Sequence, residues 1–147
     1  MTEPAVPSFH DGYLTSIAVG DKCATLGFTR SDGAQFELDL LGVEALQIED
    51  FRQGNIVYEL EIVSGRDPAS YDNTRALERL FIPPHPSAEA CYHEASAAFR
   101  ARQVEKIKNG EALLVIVSPS YGADLAAYCA SVRLRALLPD RLPEGAK

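Results

Sequence analysis

The sequence predicts an α+β domain: a mostly antiparallel sheet of about six or seven strands, flat or curled, with two helices inserted before the last hairpin. Three observations predict it. Short β-rich runs alternate with turn residues through the first 64 positions, the pattern of a meander and not of βαβ units. From Arg66 the character changes to proline-bounded helical stretches. Near the end, Leu113-Leu114-Val115-Ile116-Val117 is a continuous apolar run too short for a typical helix, so it reads as a buried strand.

Taken in order, residues 13–19 form the first strand and Gly20-Asp21 the turn after it. Residues 22–30 come next, and Ser31-Asp32-Gly33-Ala34 closes a hairpin in which Asp-Gly supplies the required positive φ. In Gln35–Leu41, Phe36, Leu38 and Leu40 share one face while Gln35, Glu37 and Asp39 share the other, as a half-buried strand requires. Gly42 breaks the run, residues 43–51 are less regular, and Gln53-Gly54-Asn55 reads as a turn. Residues 56–63 alternate again, setting Tyr58, Leu60 and Ile62 opposite Val57, Glu59 and Glu61.

Asp67-Pro68 and Asp72 are two alternative starts for a short helix through Arg75-Ala76-Leu77. Ile82-Pro83-Pro84-His85-Pro86 must be extended, because each proline pushes its predecessor out of the α region. Ser87 is the expected cap of the strongest helix, which gathers Arg100, Arg102, Lys106 and Lys108 towards its end and stops at Asn109-Gly110. Its Tyr92, Ala95 and Phe99 recur at helical spacing and are expected to pack on the sheet. Pro119 and Gly122 are expected to bracket a turn at Ser120-Tyr121. Residues 124–138 mix a helix-friendly start with an alternating Val132-Arg133-Leu134-Arg135, and a return strand is favoured over a helix.

The 147 residues and 46% hydrophobic content fit one domain with its own core; residues 1–8 and 139–147 are expected to be flexible ends. A formal net charge of −7 disfavours nucleic acid and anionic membrane surfaces as partners. The charge is unevenly spread: residues 1–65 carry 11 acidic and 3 basic side chains, a balance of −8, whereas residues 66–147 carry 10 and 11, a balance of +1. Cys23, Cys91 and Cys129 are odd in number and widely spaced, which suggests reduced thiols rather than a disulfide framework. With no signal-like start and no long apolar run, a cytoplasmic protein without a membrane segment is expected.

The glycine-rich phosphate loops, the GxSxG elbow and HExxH are absent; His93-Glu94 begins the last, but Ala97 stands where its second His belongs. Cys91 and His93 are two apart on a helix and diverge by about 200°, so with His85 they make a poor metal site. No cofactor and no metal is expected, and no catalytic residue is assigned. The acidic strand faces are the most informative feature, Glu37 with Asp39 and Glu59 with Glu61. Like charges directly opposed on neighbouring strands would destabilise a sheet, so something must relieve them. One answer is solvation on strands that are not neighbours; the other is a basic protein partner. The alternative site is a ligand pocket beside Ser118-Pro119-Ser120-Tyr121-Gly122, built from His10, Tyr13, Ser120 and Tyr121.

Three stretches carry a resemblance: Phe9-His10-Asp11-Gly12-Tyr13-Leu14; Gly42-Val43-Glu44-Ala45-Leu46 with Asp50-Phe51-Arg52-Gln53-Gly54-Asn55-Ile56; and Pro119-Ser120-Tyr121-Gly122-Ala123. Here the chain resembles small uncharacterised bacterial proteins, some of them immunity-type proteins of toxin systems. The resemblance implies an antiparallel sheet opening with Phe-His-Asp-Gly and a binding role, and it transfers no catalytic residue. The leading expectation is a non-enzymatic protein-binding module, immunity-like in kind, using the acidic sheet face. The alternatives are a small-ligand or weakly catalytic domain, and self-association through a strand edge.

Overall fold

A computed structural model describes residues 6–138. It contains β1 (Tyr13–Gly20), β2 (Cys23–Thr29), β3 (Gln35–Leu41), β4 (Ala45–Glu49), β5 (Asn55–Val63), α1 (Tyr71–Leu80), α2 (Ala90–Lys108), β6 (Leu113–Tyr121), β7 (Asp124–Cys129) and β8 (Ser131–Leu137). The eight strands form one sheet in the order β4-β7-β6-β5-β1-β2-β3-β8, and every pairing is antiparallel. The α+β class and the antiparallel sheet stand as expected. The strand count and helix position do not: among the described residues there are eight strands, and both helices lie between β5 and β6, ahead of three strands rather than one hairpin.

The eighth strand arises at Ala130. Residues 124–138 are strand as favoured, but Ala130 alone joins β7 to β8, which stand near opposite ends of the strand order. The connection from β3 to β4 repeats this with residues 42–44. The two ribbons turn the corner together, and the Ala130 N–H donates to the Leu41 carbonyl at 2.9 Å. Gly42 sits there with φ 63°, and a Cβ on it would lie 2.8 Å from that of Ala130, so only glycine fits the corner. The sheet therefore bends back towards itself without closing, because no ladder pairs β4 with β8.

The bend creates one core from both arms. Leu26, Phe28, Leu38 and Leu40 of β2 and β3 share a buried cluster with Leu113, Val115, Val117 and Leu125 of β6 and β7. A second cluster on the opposite face joins Leu114, Ile116, Ala126 and Tyr128 to Ala76 and Leu77 of α1 and Ile107 of α2. β6 is apolar at five successive positions because it is covered on both faces. The Tyr128 hydroxyl donates to the Gln103 carbonyl at 3.1 Å and ties α2 to the sheet. Burial, and then the charges of Glu44 and Glu111, push the Tyr128 phenol up.

Several local expectations are corrected. Neither Asp67 nor Asp72 caps α1; Ser70 does, accepting the Asn73 N–H at 3.3 Å. The N-cap of α2 is Glu89, not Ser87, whose hydroxyl and N–H are engaged with the His85 ring. Tyr92 and Phe99 do not pack on the sheet, being 61% and 39% exposed; Gln103 and Ile107 are the buried positions of α2. No turn occurs at Ser120-Tyr121, because β6 continues through Pro119 to Tyr121. The ladder to β5 shifts register at Val57, and this irregularity accommodates a proline that cannot donate. Of the chain ends expected to be flexible, residues 1–5 and 139–147 lie outside the described residues, while Val6 packs on the first core.

Candidate functional site

Asn55 lies at the start of β5, 2% exposed, and uses its whole side-chain amide. Its Oδ1 accepts the N–H of Arg52 at 2.7 Å and of Ala123 at 3.0 Å. Its Nδ2 donates to the carbonyls of Arg52 at 2.6 Å and Leu14 at 3.2 Å. One side chain thus fastens β1, the loop before β5 and the β6–β7 turn to each other. Gly122 has φ +85°, and a Cβ on it would run into the Asn55 amide, so the turn requires glycine to reach this contact. Beside it, the Asp11 N–H donates to the Val57 carbonyl and the Val57 N–H to the Gly12 carbonyl, at 2.9 and 2.8 Å. Segments 9–14, 50–56 and 119–123, far apart in sequence, meet at this point. In the sequence Asn55 reads only as part of the Gln53-Gly54-Asn55 turn, because its partners Leu14 and Ala123 are too distant in the chain to signal otherwise.

Around this buried amide the surface is aromatic. Tyr13 pairs with Ile56, and Ile56 with Tyr121, so the three form a row across β1, β5 and β6. Tyr13, Phe51, Tyr58 and Tyr121 are 43, 47, 57 and 49% exposed. The Arg52 guanidinium lies over the Tyr121 ring, 5.8 Å from its centroid, and bonds Asp50 at 2.6 Å. The hydrogen bond that Arg52 donates to Asp50, and then that to Tyr121, raise the Arg52 pKa. A groove of about 470 Å³ runs between Tyr13, Thr15, Phe51 and Gly54. The alternation expected in β5 breaks here: register shifts flank Val57, so Val57 and Leu60 both face the first core and Tyr58 points out.

His10 stands against the Tyr58 ring, edge to face at 5.4 Å, with Nδ1 hydrogen-bonded to the Tyr58 carbonyl at 3.1 Å. Both line a groove of about 440 Å³ with Ser8, Phe9 and Glu59. Of the alternative pocket, Tyr13 and Tyr121 are therefore brought to one face with a strand between them. His10 sits one groove away beside Tyr58, and Ser120 is exposed on β6. Neither groove is an enclosed cavity reaching into the core, which side chains fill.

The four acidic side chains separate into two environments. β3 and β5 have β2 and β1 between them, so Glu37 and Asp39 do not neighbour Glu59 and Glu61. What relieves the first pair is β8, where Arg135 lies opposite Glu37 and Arg133 opposite Asp39. Asp39 is 6% exposed, and its carboxylate accepts from Arg133 at 2.9 Å, from Arg135 at 2.8 Å and from Thr25 Oγ1 at 2.9 Å. Arg135 also reaches Glu37. The Arg135 hydrogen bond outweighs burial and, with Arg133 and Thr25, holds the Asp39 carboxyl well below the usual carboxylate range. Glu61 pairs with Arg66 at 3.2 Å, and Glu59 is exposed beside Tyr58.

Among the described residues, no group of three His, Cys, Asp or Glu side chains is placed to hold a metal ion. No helix among them is long and apolar enough to cross a membrane. Comparisons with protein-family models, with curated proteins and with solved structures find no match to this chain.

Proposed function

We propose that this protein is a non-enzymatic binding module that captures another protein on the outward face of its sheet, where β1, β5 and β6 meet. The supporting observation is the exposed group of Tyr13, Phe51 and Tyr121 with Arg52, held in register by the buried Asn55 amide, with Tyr58 exposed at the neighbouring groove. Tyrosine and arginine dominate the energetics of protein interfaces, and a rigid support lowers the entropy lost on binding. Glu59 beside Tyr58 adds negative charge suited to a basic partner, while Glu61, further along β5, is shared with Arg66. In this reading Glu37 and Asp39, answered by Arg133 and Arg135, act chiefly in the sheet.

The test compares capture by wild type, by Tyr13→Ala/Tyr121→Ala and by Glu59→Lys/Glu61→Lys, each checked by circular dichroism. Removing the rings should weaken capture at least about 30-fold, as interface anchors do, and reversing the β5 charges should slow association. Capture unchanged by either double variant would exclude this surface.

A second reading is favoured by His10. Its Nδ1 is tied to a backbone carbonyl, which leaves the other ring nitrogen for a small ligand in the adjoining groove. Saturable binding of a small molecule, lost in His10→Ala and kept in Tyr121→Ala, would support that reading instead.

A further inference from the structure

We propose that α2 is a self-association surface, on which a second copy of this chain packs its own α2 in antiparallel orientation. The helix has 19 residues, a length of roughly 28 Å at 1.5 Å per residue, yet Gln103 and Ile107 are its buried positions and both lie in its last two turns. The preceding turns meet the rest of the chain along one side only. His93, Ser96 and Arg100 are half-buried there, Phe99 packs on Phe81 at 5.3 Å, and Arg100 pairs with Glu78 at 3.3 Å. A helix that buries so little of itself draws little stability from its own fold and gains from a partner.

Beside that half-buried side lies an exposed flank in which Phe99 touches Phe81 at its border and the Arg102 guanidinium lies over the Phe99 ring, 5.8 Å from its centroid; it is formed by Tyr92, Ala95, Phe99 and Arg102. Their 3-4-3 spacing sets them in one stripe, and all four are exposed. Ile82, which follows Phe81 in the chain, is 81% exposed. The stripe is self-complementary only when reversed. In an antiparallel pair centred near Ala97, Ala95 lies opposite the partner's Phe99, so a large ring meets a small residue in both copies. Tyr92 lies opposite the partner's Arg102, so a cation meets an aromatic face, again twice by symmetry. A parallel pair would instead set Phe99 against the partner's Phe99 and Arg102 against the partner's Arg102, stacking like charges.

So short an interface falls at the small end of specific contacts and predicts a weak dimer, filled at high micromolar concentration. The experiment is sedimentation velocity on the full chain from about 1 μM to about 1 mM. A monomer–dimer equilibrium is expected, weakened at least about tenfold by Tyr92→Ala and by Arg102→Glu. Ala97→Lys, on the opposite side of the helix, should leave it unchanged. Tyr92 and Arg102 are exposed, and an unaltered circular dichroism spectrum shows that the variants fold. A monomer across the whole range, or a dimer indifferent to both substitutions, would overturn the proposal. Because Tyr13 and Tyr121 lie on a different surface, that outcome would leave partner capture untouched.

Discussion

The side-chain carbonyl of Asn55 accepts the backbone N–H of Ala123 at 3.0 Å, across 68 positions of sequence. Buried polar groups are costly unless paired, and this amide is paired four times. Asn55→Ala would strand the Leu14 and Arg52 carbonyls and the Arg52 and Ala123 N–H groups together. A loss of about 2–4 kcal/mol in urea unfolding is expected. Asn55→Asp keeps the acceptor but turns a carboxylate oxygen towards the Arg52 and Leu14 carbonyls in a buried site, so its loss at neutral pH should be at least as large.

Asp39 predicts an acid limb in stability. Its carboxyl titrates well below the ordinary aspartate value of 3.8 in the folded chain, so the unfolded chain binds protons first as pH falls. The stabilisation is complete above that value and drains away as pH drops from it towards the folded value. Asp39→Asn should lower stability at neutral pH by on the order of 2 kcal/mol, given lost charged hydrogen bonds to exposed arginines. The gap between the two proteins should narrow below about pH 4. Chemical denaturation at a series of pH values measures both.

Cysteine reactivity should divide the thiols. Cys23 and Cys91 are exposed, whereas Cys129 is 1% exposed and burial pushes its thiol up to about 12. A chromogenic disulfide reagent at pH 8 should titrate two thiols promptly in the folded protein and the third only on unfolding. Prompt reaction of all three would mean that the β7 end of the core opens readily.

Tyr128 predicts how firmly α2 is attached. Tyr128→Phe removes the hydroxyl that meets the Gln103 carbonyl and keeps the ring on Phe81. A cost of about 1 kcal/mol is expected, together with faster amide exchange in the last turns of α2 than in β6.

What could be read from sequence follows the range of the interactions. Leu38 and Leu40 face the core and Glu37 faces away, as period-two alternation requires, and β6 is buried on both faces as its apolar run implies. Local patterns carry those assignments. The Ala130 corner had no punctuation of its own, since alanine suits helix and strand alike; its reason is the Leu41 carbonyl, 89 positions earlier in the chain. The conflict between Glu37 and Asp39 was visible, but its resolution by Arg133 and Arg135 depends on β3 lying beside β8. Tyr92, Ala95 and Phe99 do share a stripe, and periodicity could not tell which neighbour that stripe would meet. The aromatic rim was only partly legible, through Tyr13 and Tyr121, because a register shift turns Tyr58 outward and a loop supplies Phe51.

The most direct test of partner capture places a photo-reactive benzoylphenylalanine at position 121, at position 13, and at the control positions Asp32 and Ala97, in cells that make this protein. Illumination should join positions 121 and 13 to the same discrete protein, with no such adduct at either control. No adduct at 121 and 13, or equal adducts at all four positions, would contradict capture by this surface.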